Sequence, residues 1–465
     1  MVAARRLTRR ALLAGGTAAA SLALLSACGA TATATPGTRG SATLTTAPGT
    51  PATSPSANTA TPASGPVTIE AWIYGNTGSD VNAESQQTAA IIEAFNQANR
   101  GRIAVRVNPI ANPDTEYQAK LLSAAAAHQL PDLLQLDGPF VASYAYSQIL
   151  APLDAYFTPD DLRDFVPSII EQGTWQGHLW SLGAFSSSMG VMVNKKLVAA
   201  AGLTIPTSVG AAWDWPTFAA AARQLTKNGV SGLDLHMDYG VSDWFTYLMS
   251  TFIWSNGGDL LSPDRSQADG AVNGPAAVEV MTEFQRLFKE GVVSATPDPV
   301  AFEKGQVAFQ IIGAWVIEGF KDFPDLDWTI MPLPYFKQRV SPSGSYAWGI
   351  GAQGQQRDAA AELLRWLVAT DTGIVPIVQT NKLPPARTSA YPKLPFYASL
   401  PYSLYAEQLQ TTARARPITP AYPVLTAKFA QAVNDIALGA PVKESLDAVA
   451  RAVDDDIKRH NGYRP

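Results

Sequence analysis

Aromatic residues beside glycine or small polar residues are the most distinctive chemical pattern in this 465-residue chain. They recur in "WIYGN" (72–76), "SDWFTY" (242–247), "FIWSNGGD" (252–259), "IIGAW" (311–315) and "GSYAWG" (344–349). A flat aromatic face can stack on the C–H face of a sugar, while carboxylate, amide and guanidinium groups bind hydroxyls. Any single ring of this kind could instead pack in a core. Their recurrence at expected strand ends and loops predicts a site for a small polar ligand.

Sequence signatures of catalysis and metal binding are missing. The chain has no G-x-S-x-G, H-E-x-x-H or P-loop motif, and no G-x-G-x-x-G motif after a strand. No i, i+4 pair occurs among its four histidines, which are His128, His178, His236 and His460. The aspartates of "GDLLSPDRSQADG" (258–270) do not follow the calcium-loop spacing. We therefore predict no catalytic residue, metal or cofactor, although a glycosidase needs only two carboxyl groups and stays open as the enzyme alternative.

The first 66 residues resemble an export signal followed by an anchor and a tether. Four arginines within residues 5–10 precede an uncharged run over 11–27, which is shorter than the roughly 20 residues of a membrane span. "LSAC" (25–28) resembles a bacterial lipobox, so we expect a signal peptide over 1–27 and lipidation of Cys28. "TRRALL" (8–13) resembles a twin-arginine signal, with the general secretory route as the alternative. Residues 28–66, rich in Thr, Ala and Pro, predict a disordered tether.

The composition limits the partners of the remaining 400 or so residues. A net charge of −5 gives no indication of nucleic-acid binding. Cys28 is the only cysteine, so its lipidation leaves no thiol for a disulfide or a thiolate metal site.

Strands and helices alternate in the first part of this region. We predict strands at 67–75, 102–110 and 131–138, and helices at about 86–101, 113–128 and 139–150. This order predicts βαβ units and a parallel sheet. Open sheets of this kind bind ligands at the carboxyl ends of their strands.

Later segments predict further helices and a helical C-terminal region. "MGVMVNKKL" (189–197) predicts a strand that runs into a turn, and Asp214 caps a predicted helix that ends at Leu225. Pro275 and Pro441 each begin a helix with an apolar face.

Several segments, taken in their order along the chain, together resemble the bacterial extracellular solute-binding proteins of family 1. The most diagnostic stretch is "MGVMVNKKLVAAAGLTIP", followed by "WDWPTFAAAARQLT", although Val193 stands where relatives carry tyrosine. "LPDLLQLDGPFVASYAYSQILAPLDAYF", "FEKGQVAFQIIGAW" and "NKLPPARTSA" occur in the order typical of that family. The maltose- and glycerophosphodiester-binding proteins are relatives within it.

The resemblance implies an α/β fold of two lobes that close on a ligand in the cleft between them. It places 67–186 and about 300–380 mainly in lobe 1, and 187–299 and about 381–465 mainly in lobe 2. Crossovers between lobes are expected near Ser186 and Tyr346.

The resemblance and the aromatic pattern together give a set of expected ligand contacts. Stacking is expected from Trp72, Tyr74, Trp244, Trp254, Trp315, Tyr346 and Trp348. Hydrogen bonds are expected from Asn76, Asp137, Ser186, Ser187, Asp243, Asn256 and Arg387, and close backbone approach at Gly313 and Ala314. Arg387 could instead pair with a carboxylate between the lobes, or bind phosphate in a glycerophosphodiester.

The function implied is capture of a carbohydrate or related polyol and its delivery to the membrane subunits of an ABC importer. We expect a monomer without enzymatic activity, exported and held by lipid on the outer face of the cell membrane or its periplasmic side. A tethered glycosidase, a tethered scaffold and a binder of another solute are the alternatives.

Overall fold

The structure is a computed structural model that describes residues 65–75, 83–110, 116–344 and 346–464. The predicted signal peptide, Cys28, the tether and Asn76 lie outside these residues. Among the residues that are described, no helix combines the length and apolar character that crossing a membrane requires.

The strands of the described residues form two larger sheets and two short ribbons. In chain order they are β1 (Val67–Tyr74), β2 (Ile103–Ile110), β3 (Leu133–Asp137), β4 (Leu150–Ala151), β5 (Thr174–Trp175), β6 (His178–Leu179), β7 (Met189–Asn194), β8 (Ser231–Asp234), β9 (Val307–Gly313), β10 (Trp328–Met331), β11 (Ser341–Ser343), β12 (Tyr346–Gly351) and β13 (Ala413–Ala415).

Helices surround these sheets. In chain order they are α1 (Ala83–Ala98), α2 (Glu116–Ala126), α3 (Val141–Tyr146), α4 (Pro159–Leu162), α5 (Pro167–Gly173), α6 (Lys195–Ala200), α7 (Trp215–Leu225), α8 (Asp243–Ser255), α9 (Pro275–Lys289), α10 (Arg357–Ala369), α11 (Asp371–Asn381), α12 (Tyr402–Thr411), α13 (Tyr422–Ala437) and α14 (Val442–Arg459).

Sheet 1 has the strand order β2-β1-β3-β12-β4. β1 runs parallel to both β2 and β3, as the strand–helix alternation predicts. β12 returns from much later in the chain and pairs antiparallel to β3, with Tyr346 opposite Asp137. The sheet is therefore mixed, because its fourth strand arrives from a crossover and not from a βαβ unit.

Sheet 2 has the strand order β10-β7-β9-β8. β8 and β9 are parallel, and β7 pairs antiparallel to both β9 and β10. The sequence analysis assigned about 300–380 to lobe 1, but β9 and β10 belong to sheet 2. The remaining lobe boundaries stay a prediction.

The chain passes between the two sheets at neighbouring places. The backbone N–H of Ser187 donates to the carbonyl of Gly344 at 2.8 Å, and that of Ser186 donates to Pro384 at 2.8 Å. Nearby, β11 pairs in parallel with β13. The crossovers therefore lie side by side, at the positions expected near Ser186 and Tyr346.

The helix starts marked by Asp214, Pro275 and Pro441 match their predictions to within one residue, whereas α1 begins and ends three residues before its predicted bounds of 86–101. Asp214 accepts a hydrogen bond from the backbone N–H of Thr217 at 2.9 Å and caps α7, and Pro275 is the first residue of α9. In α14, the residues spaced three and four apart are buried, namely Val442, Leu446, Val449, Val453 and Ile457. Their burial on one face is what the 3.6-residue period predicts.

Two local predictions are wrong. The helix predicted over 139–150 is a 3₁₀ turn (Gly138–Phe140), the short α3 and then β4. "SDWFTY" and "FIWSNGGD" were expected at strand ends or loops, but they begin and end a single helix, α8. Nearly every residue of α8 is buried, so it has no polar face to create a helical period.

Candidate ligand-binding site

The carboxyl edge of sheet 1 carries three of the expected contacts. Tyr74 ends β1, Asp137 ends β3, and Tyr346 begins β12 directly opposite Asp137. The Tyr74 and Tyr346 rings meet edge-on, with centroids 4.6 Å apart. The backbone N–H of Tyr74 donates to the side chain of Gln135 at 2.9 Å, which fixes the end of β1. This edge therefore presents two phenol rings beside a carboxylate.

The corresponding edge of sheet 2 carries two tryptophans. Trp315 follows the end of β9, and Trp244 lies in the first turn of α8. Their rings pack edge to face with centroids 6.2 Å apart. The indole N–H of Trp244 donates to the carbonyl of Leu235 at 2.9 Å, so this ring is held in place. Trp315 is only partly buried and remains available to a ligand.

Gly313 has a different role from the one expected. A Cβ at this position would lie 1.8 Å from the ring of Trp315, so the indole occupies the space that the missing side chain leaves. Ala314 is buried, with 1% of its surface exposed. The glycine therefore positions an aromatic ring, and the structure gives no open space above it for a ligand backbone contact.

Arg416 connects the end of β3 in sheet 1 with the start of α8. Its guanidinium donates to Asp243 at the start of α8 and, at 3.5 Å, to Asp137 at the end of β3. It also lies 4.8 Å from the centre of the Tyr247 ring, a cation–π distance. A Cβ at Gly344, whose φ is +152°, would lie 2.9 Å from Arg416. The glycine in this crossover thus leaves room for the arginine.

The Asp243 carboxylate accepts hydrogen bonds from three side chains. Besides Arg416, its carboxylate accepts from the hydroxyls of Tyr422 at 2.5 Å and Thr426 at 2.6 Å. With its side chain 12% exposed, it has little capacity for a ligand hydroxyl. We therefore assign Asp243 to positioning Arg416 and the end of α8.

The hydroxyl groups near Arg416 stay protonated. Burial raises the pKa of Tyr247, a hydrogen bond with Ser187 opposes this rise, and the charge of Asp137 adds to it. The Tyr247 and Ser187 oxygens are 3.0 Å apart. Ser186 is 1% exposed, and its hydroxyl has no partner among the described residues. The crossover thus places Ser187 and Tyr247 as neutral donors or acceptors beside the Asp137–Arg416 pair.

Trp72 and Trp348 lie away from the strand ends. Trp72 is 5% exposed, its indole N–H donates to Glu70 at 2.8 Å, and Lys120 of α2 lies over its ring at 4.4 Å. Trp348 is 4% exposed and is held through its backbone to Leu182. Both residues lie in strands of sheet 1 with their rings buried, so the structure does not place them at the candidate site.

Trp254 and Asn256 lie at the opposite end of α8 from Trp244. Trp254 is fully buried, and its indole N–H donates to Asp259 at 2.9 Å. Asn256 donates to Glu279 at 2.8 Å. Because α8 is a helix of thirteen residues, the two are separated from its first turn by about three helical turns. They support the end of α8 and do not join the site.

Arg387 pairs with a carboxylate within the fold. Its guanidinium donates to Asp164 at 2.6 Å and to the carbonyl of Ala369. Burial would raise the pKa of Asp164, but hydrogen bonds from Ser389 and Thr388 and the charge of Arg387 lower it to about 2. Arg387 is therefore paired with a carboxylate, and its placement between lobes stays a prediction.

Arg416 was not predicted from the sequence as a residue of the candidate site. Arg416 was missed because "ARARP" (413–417) has no motif, and its role depends on contacts with residues more than 170 positions away. Arg414, two residues earlier, pairs with Asp259 and lies 4.7 Å from the Trp254 ring at the other end of α8. The alternation of the two arginines in a strand was the one available signal.

One cluster has the composition of a metal site. Asp234 at the end of β8, His236 and Asp238 bring one donor atom each to within 4.8 Å of one another. The spacing of these residues matches neither a pair of histidines four residues apart nor a calcium loop, so the sequence patterns did not indicate a metal site here. We call these three residues the Asp-His-Asp cluster.

Comparison with known proteins identifies the class of this fold. The family model of the bacterial extracellular solute-binding proteins matches residues 79–373. The chain therefore belongs to that family, and the sequence-based resemblance is confirmed. Its fold is the two-lobed one expected from the sequence, with a helical C-terminal region.

Three individual proteins are similar to this chain in sequence or in structure. The cyclic alpha-maltosyl-1,6-maltose binding protein of Arthrobacter globiformis is 26% identical, with a TM-score of 0.70, over 85% of this chain and 100% of that one. The maltotriose-binding protein of Pyrococcus abyssi is 23% identical over 57% of this chain and 58% of its own length. A substrate-binding protein of Listeria monocytogenes, in complex with cycloalternan, is 20% identical with a TM-score of 0.71, over 84% of this chain and 99% of that one. The last of these shows the fold alone.

Proposed function

We propose that the protein captures a carbohydrate or related polyol and delivers it to an ABC importer. The observation that carries this proposal is the contact of Arg416 with Asp137 at the end of β3 and with Asp243 at the start of α8, with aromatic rings at both places. Tyr74 and Tyr346 lie at the edge of sheet 1, Trp244 lies in the first turn of α8, and Trp315 follows β9. Two relatives are named for maltose-type sugars, which supports the same class of ligand.

Each part of the site has a role in binding. The partly buried rings of Trp315 and Tyr346 stack on the C–H faces of sugar rings. Asp137, Ser187 and Tyr247 exchange hydrogen bonds with hydroxyls, and a bond to a charged group contributes more than a neutral one. The ligand contacts both lobes, so it binds the closed state more tightly and shifts the population toward it.

Export and anchoring complete the proposal. The family is extracellular by description. We assign residues 1–27 to a signal peptide, by the twin-arginine or general secretory route, and Cys28 to lipid attachment. Residues 28–66 then hold a monomeric binding unit clear of the membrane, where importer subunits recognise its closed form.

The arrangement favours binding over catalysis. A glycosidase holds one of its two carboxyl groups protonated, as the acid that protonates the leaving group. Here Asp137 and Asp243 are both ion-paired with Arg416. Arg387, the residue suggested for a phosphate contact, is occupied by Asp164, which removes the specific support for a glycerophosphodiester.

A ligand screen with matched variants tests the proposal. Residues 66–465 are screened by thermal shift against linear and cyclic maltodextrins, other oligosaccharides, polyols and glycerophosphodiesters, and hits are measured by calorimetry. Saturation at 100 times the dissociation constant should add about 2.7 kcal/mol of stability, and the ligand should be recovered intact.

The matched variants are Trp315→Ala and Trp328→Ala. Trp328 is also half-buried, but it lies in β10, where it pairs with Asn194. Asn194 is at the other end of β7 from Met189, which is the residue that pairs with Gly313. Loss of one stacking ring should weaken binding at least tenfold in the first variant and leave the second unchanged. Equal effects, consumption of the hit or no hit among carbohydrates and polyols would refute the proposal.

A further inference from the structure

The Asp-His-Asp cluster has the spacing of donors around a single cation. His236 Nδ1 lies 3.9 Å from Asp234 Oδ2 and 3.7 Å from Asp238 Oδ1. These separations exceed the length of a hydrogen bond. Zinc binds nitrogen and oxygen at about 2.0–2.2 Å, so two of its ligands lie roughly 3–4 Å apart.

The cluster also contains buried polar atoms without partners. The His236 side chain is 6% exposed, and its Nε2 has no hydrogen bond among the described residues. The nearby Glu303 has a buried carboxylate oxygen with no partner there either. One oxygen of Asp234 accepts from the backbone N–H of His236 at 2.8 Å, and its other oxygen is the one that faces the His236 ring.

Among the described residues, no lysine or arginine pairs with Asp234 or Asp238. In the same part of the chain, the ion pairs of these two acids run only to His236. A cavity of about 150 Å³ borders Asp234 and gives room for water beside it. The cluster therefore combines a buried imidazole, negative charge that pairs with no described lysine or arginine, and adjacent solvent space.

We propose that Asp234, His236 and Asp238 bind a divalent transition-metal ion of the zinc class. His236 supplies Nδ1, each aspartate supplies one oxygen, and water from the cavity takes the fourth position. An imidazole ligand favours zinc over calcium or magnesium, which prefer oxygen alone.

The ion has a consequence for the candidate ligand site. The indole N–H of Trp244 donates to Leu235, which lies between two of the ligands, and the His236 ring packs edge-on against Trp244 at 5.9 Å. Holding the cluster therefore fixes the Trp244 ring. Resting on the proposed function, this coupling makes carbohydrate affinity higher with zinc than after chelation.

Zinc binding is tested directly on protein without a histidine tag, after treatment with a chelator. Calorimetry with ZnCl₂ and elemental analysis after dialysis should give one zinc per chain. At 100 times the dissociation constant, the melting temperature should rise by about 3 °C.

Variants locate the site. His236→Gln and Asp238→Asn should each lower zinc affinity at least about 100-fold, since even outer-shell changes cost 10–100-fold. Asp238 is the least buried of the three ligands, with its side chain 17% exposed, and circular dichroism checks that its variant retains the fold. His178→Gln is the control, because His178 pairs with Asp154 at 3.4 Å in an exposed position. Absence of zinc binding, binding retained in both cluster variants, or tighter binding of calcium than of zinc would overturn the proposal.

The two proposals fail separately. Zinc binding is measured without sugar, so a negative ligand screen leaves the metal result intact. Zinc binding that leaves carbohydrate affinity unchanged would refute the coupling through Trp244.

Discussion

Replacing Arg416 with methionine should lower the melting temperature by about 3–4 °C. The side chains of Arg416, Asp243 and Asp137 are 6, 12 and 19% exposed. Removing one partner from a buried ion pair costs about 3–5 kcal/mol, because the other charge loses its compensation. Asp243 keeps its bonds from Tyr422 and Thr426, so we expect the lower limit, about 3 kcal/mol.

The temperature shift follows from the size of the folded part. An unfolding entropy of about 2.1 cal/mol/K per residue gives about 0.8 kcal/mol/K for roughly 400 residues. Differential scanning calorimetry of the two proteins measures the shift. A double-mutant cycle with Asp243→Asn should show coupling, since each change relieves the charge that the other exposes.

Two controls make this prediction decisive. Arg416→Lys keeps the charge but loses the planar fork that reaches both carboxylates, so its effect should be smaller. Arg102→Met removes an ion pair with Glu362 whose side chains are 57 and 46% exposed, and should change the melting temperature little. A shift below 1 °C for Arg416→Met, or strict additivity in the cycle, would show that Arg416 does not stabilise the contact between the end of β3 and the start of α8.

Further predictions concern other contacts. Gly313→Ala should weaken carbohydrate binding at least about tenfold, because the new Cβ would displace the Trp315 ring. The control is Gly319→Ala, whose Cβ meets nothing within 4 Å. Equal carbohydrate affinities of the two variants in calorimetry would contradict this account. Asp164→Asn should lower the melting temperature at pH 7, because hydrogen bonds and Arg387 hold the folded-state pKa at about 2, below the unfolded value of about 3.9. That stabilisation is present above the unfolded-state pKa and is lost as the pH falls through the folded-state pKa. The difference in melting temperature between variant and wild type should therefore shrink between pH 4 and pH 2, and a constant difference would refute the assignment.

The sequence predicts those parts of the fold in which a local pattern decides the structure. α14 has apolar residues at helical spacing, and α7 has a capping aspartate, so both were predictable. α8 is buried on nearly all sides and shows no period. Its tryptophans therefore resembled loop residues, although they belong to a helix.

The sequence indicates candidate site residues most clearly at strand ends. Tyr74 and Asp137 end buried strands and Trp315 follows one, and the carboxyl ends of strands in open sheets are where ligands bind. Trp72 and Trp254 have the same local composition but pack inside the fold. Their difference depends on tertiary contacts with Lys120 and Asp259. Arg416 depends wholly on such contacts.

The two arginines that flank Ala415 give α8 a mechanical property. Arg416 holds its first residue, Asp243, while Arg414 holds Asp259 just beyond its last. Both arginines lie in or next to β13, the partner of the crossover strand β11. The helix is thus bonded near both ends to β13 and the residue that follows it, and β13 pairs with the crossover strand β11. A displacement of this segment would therefore move both ends of α8 together, and with them Trp244 in its first turn.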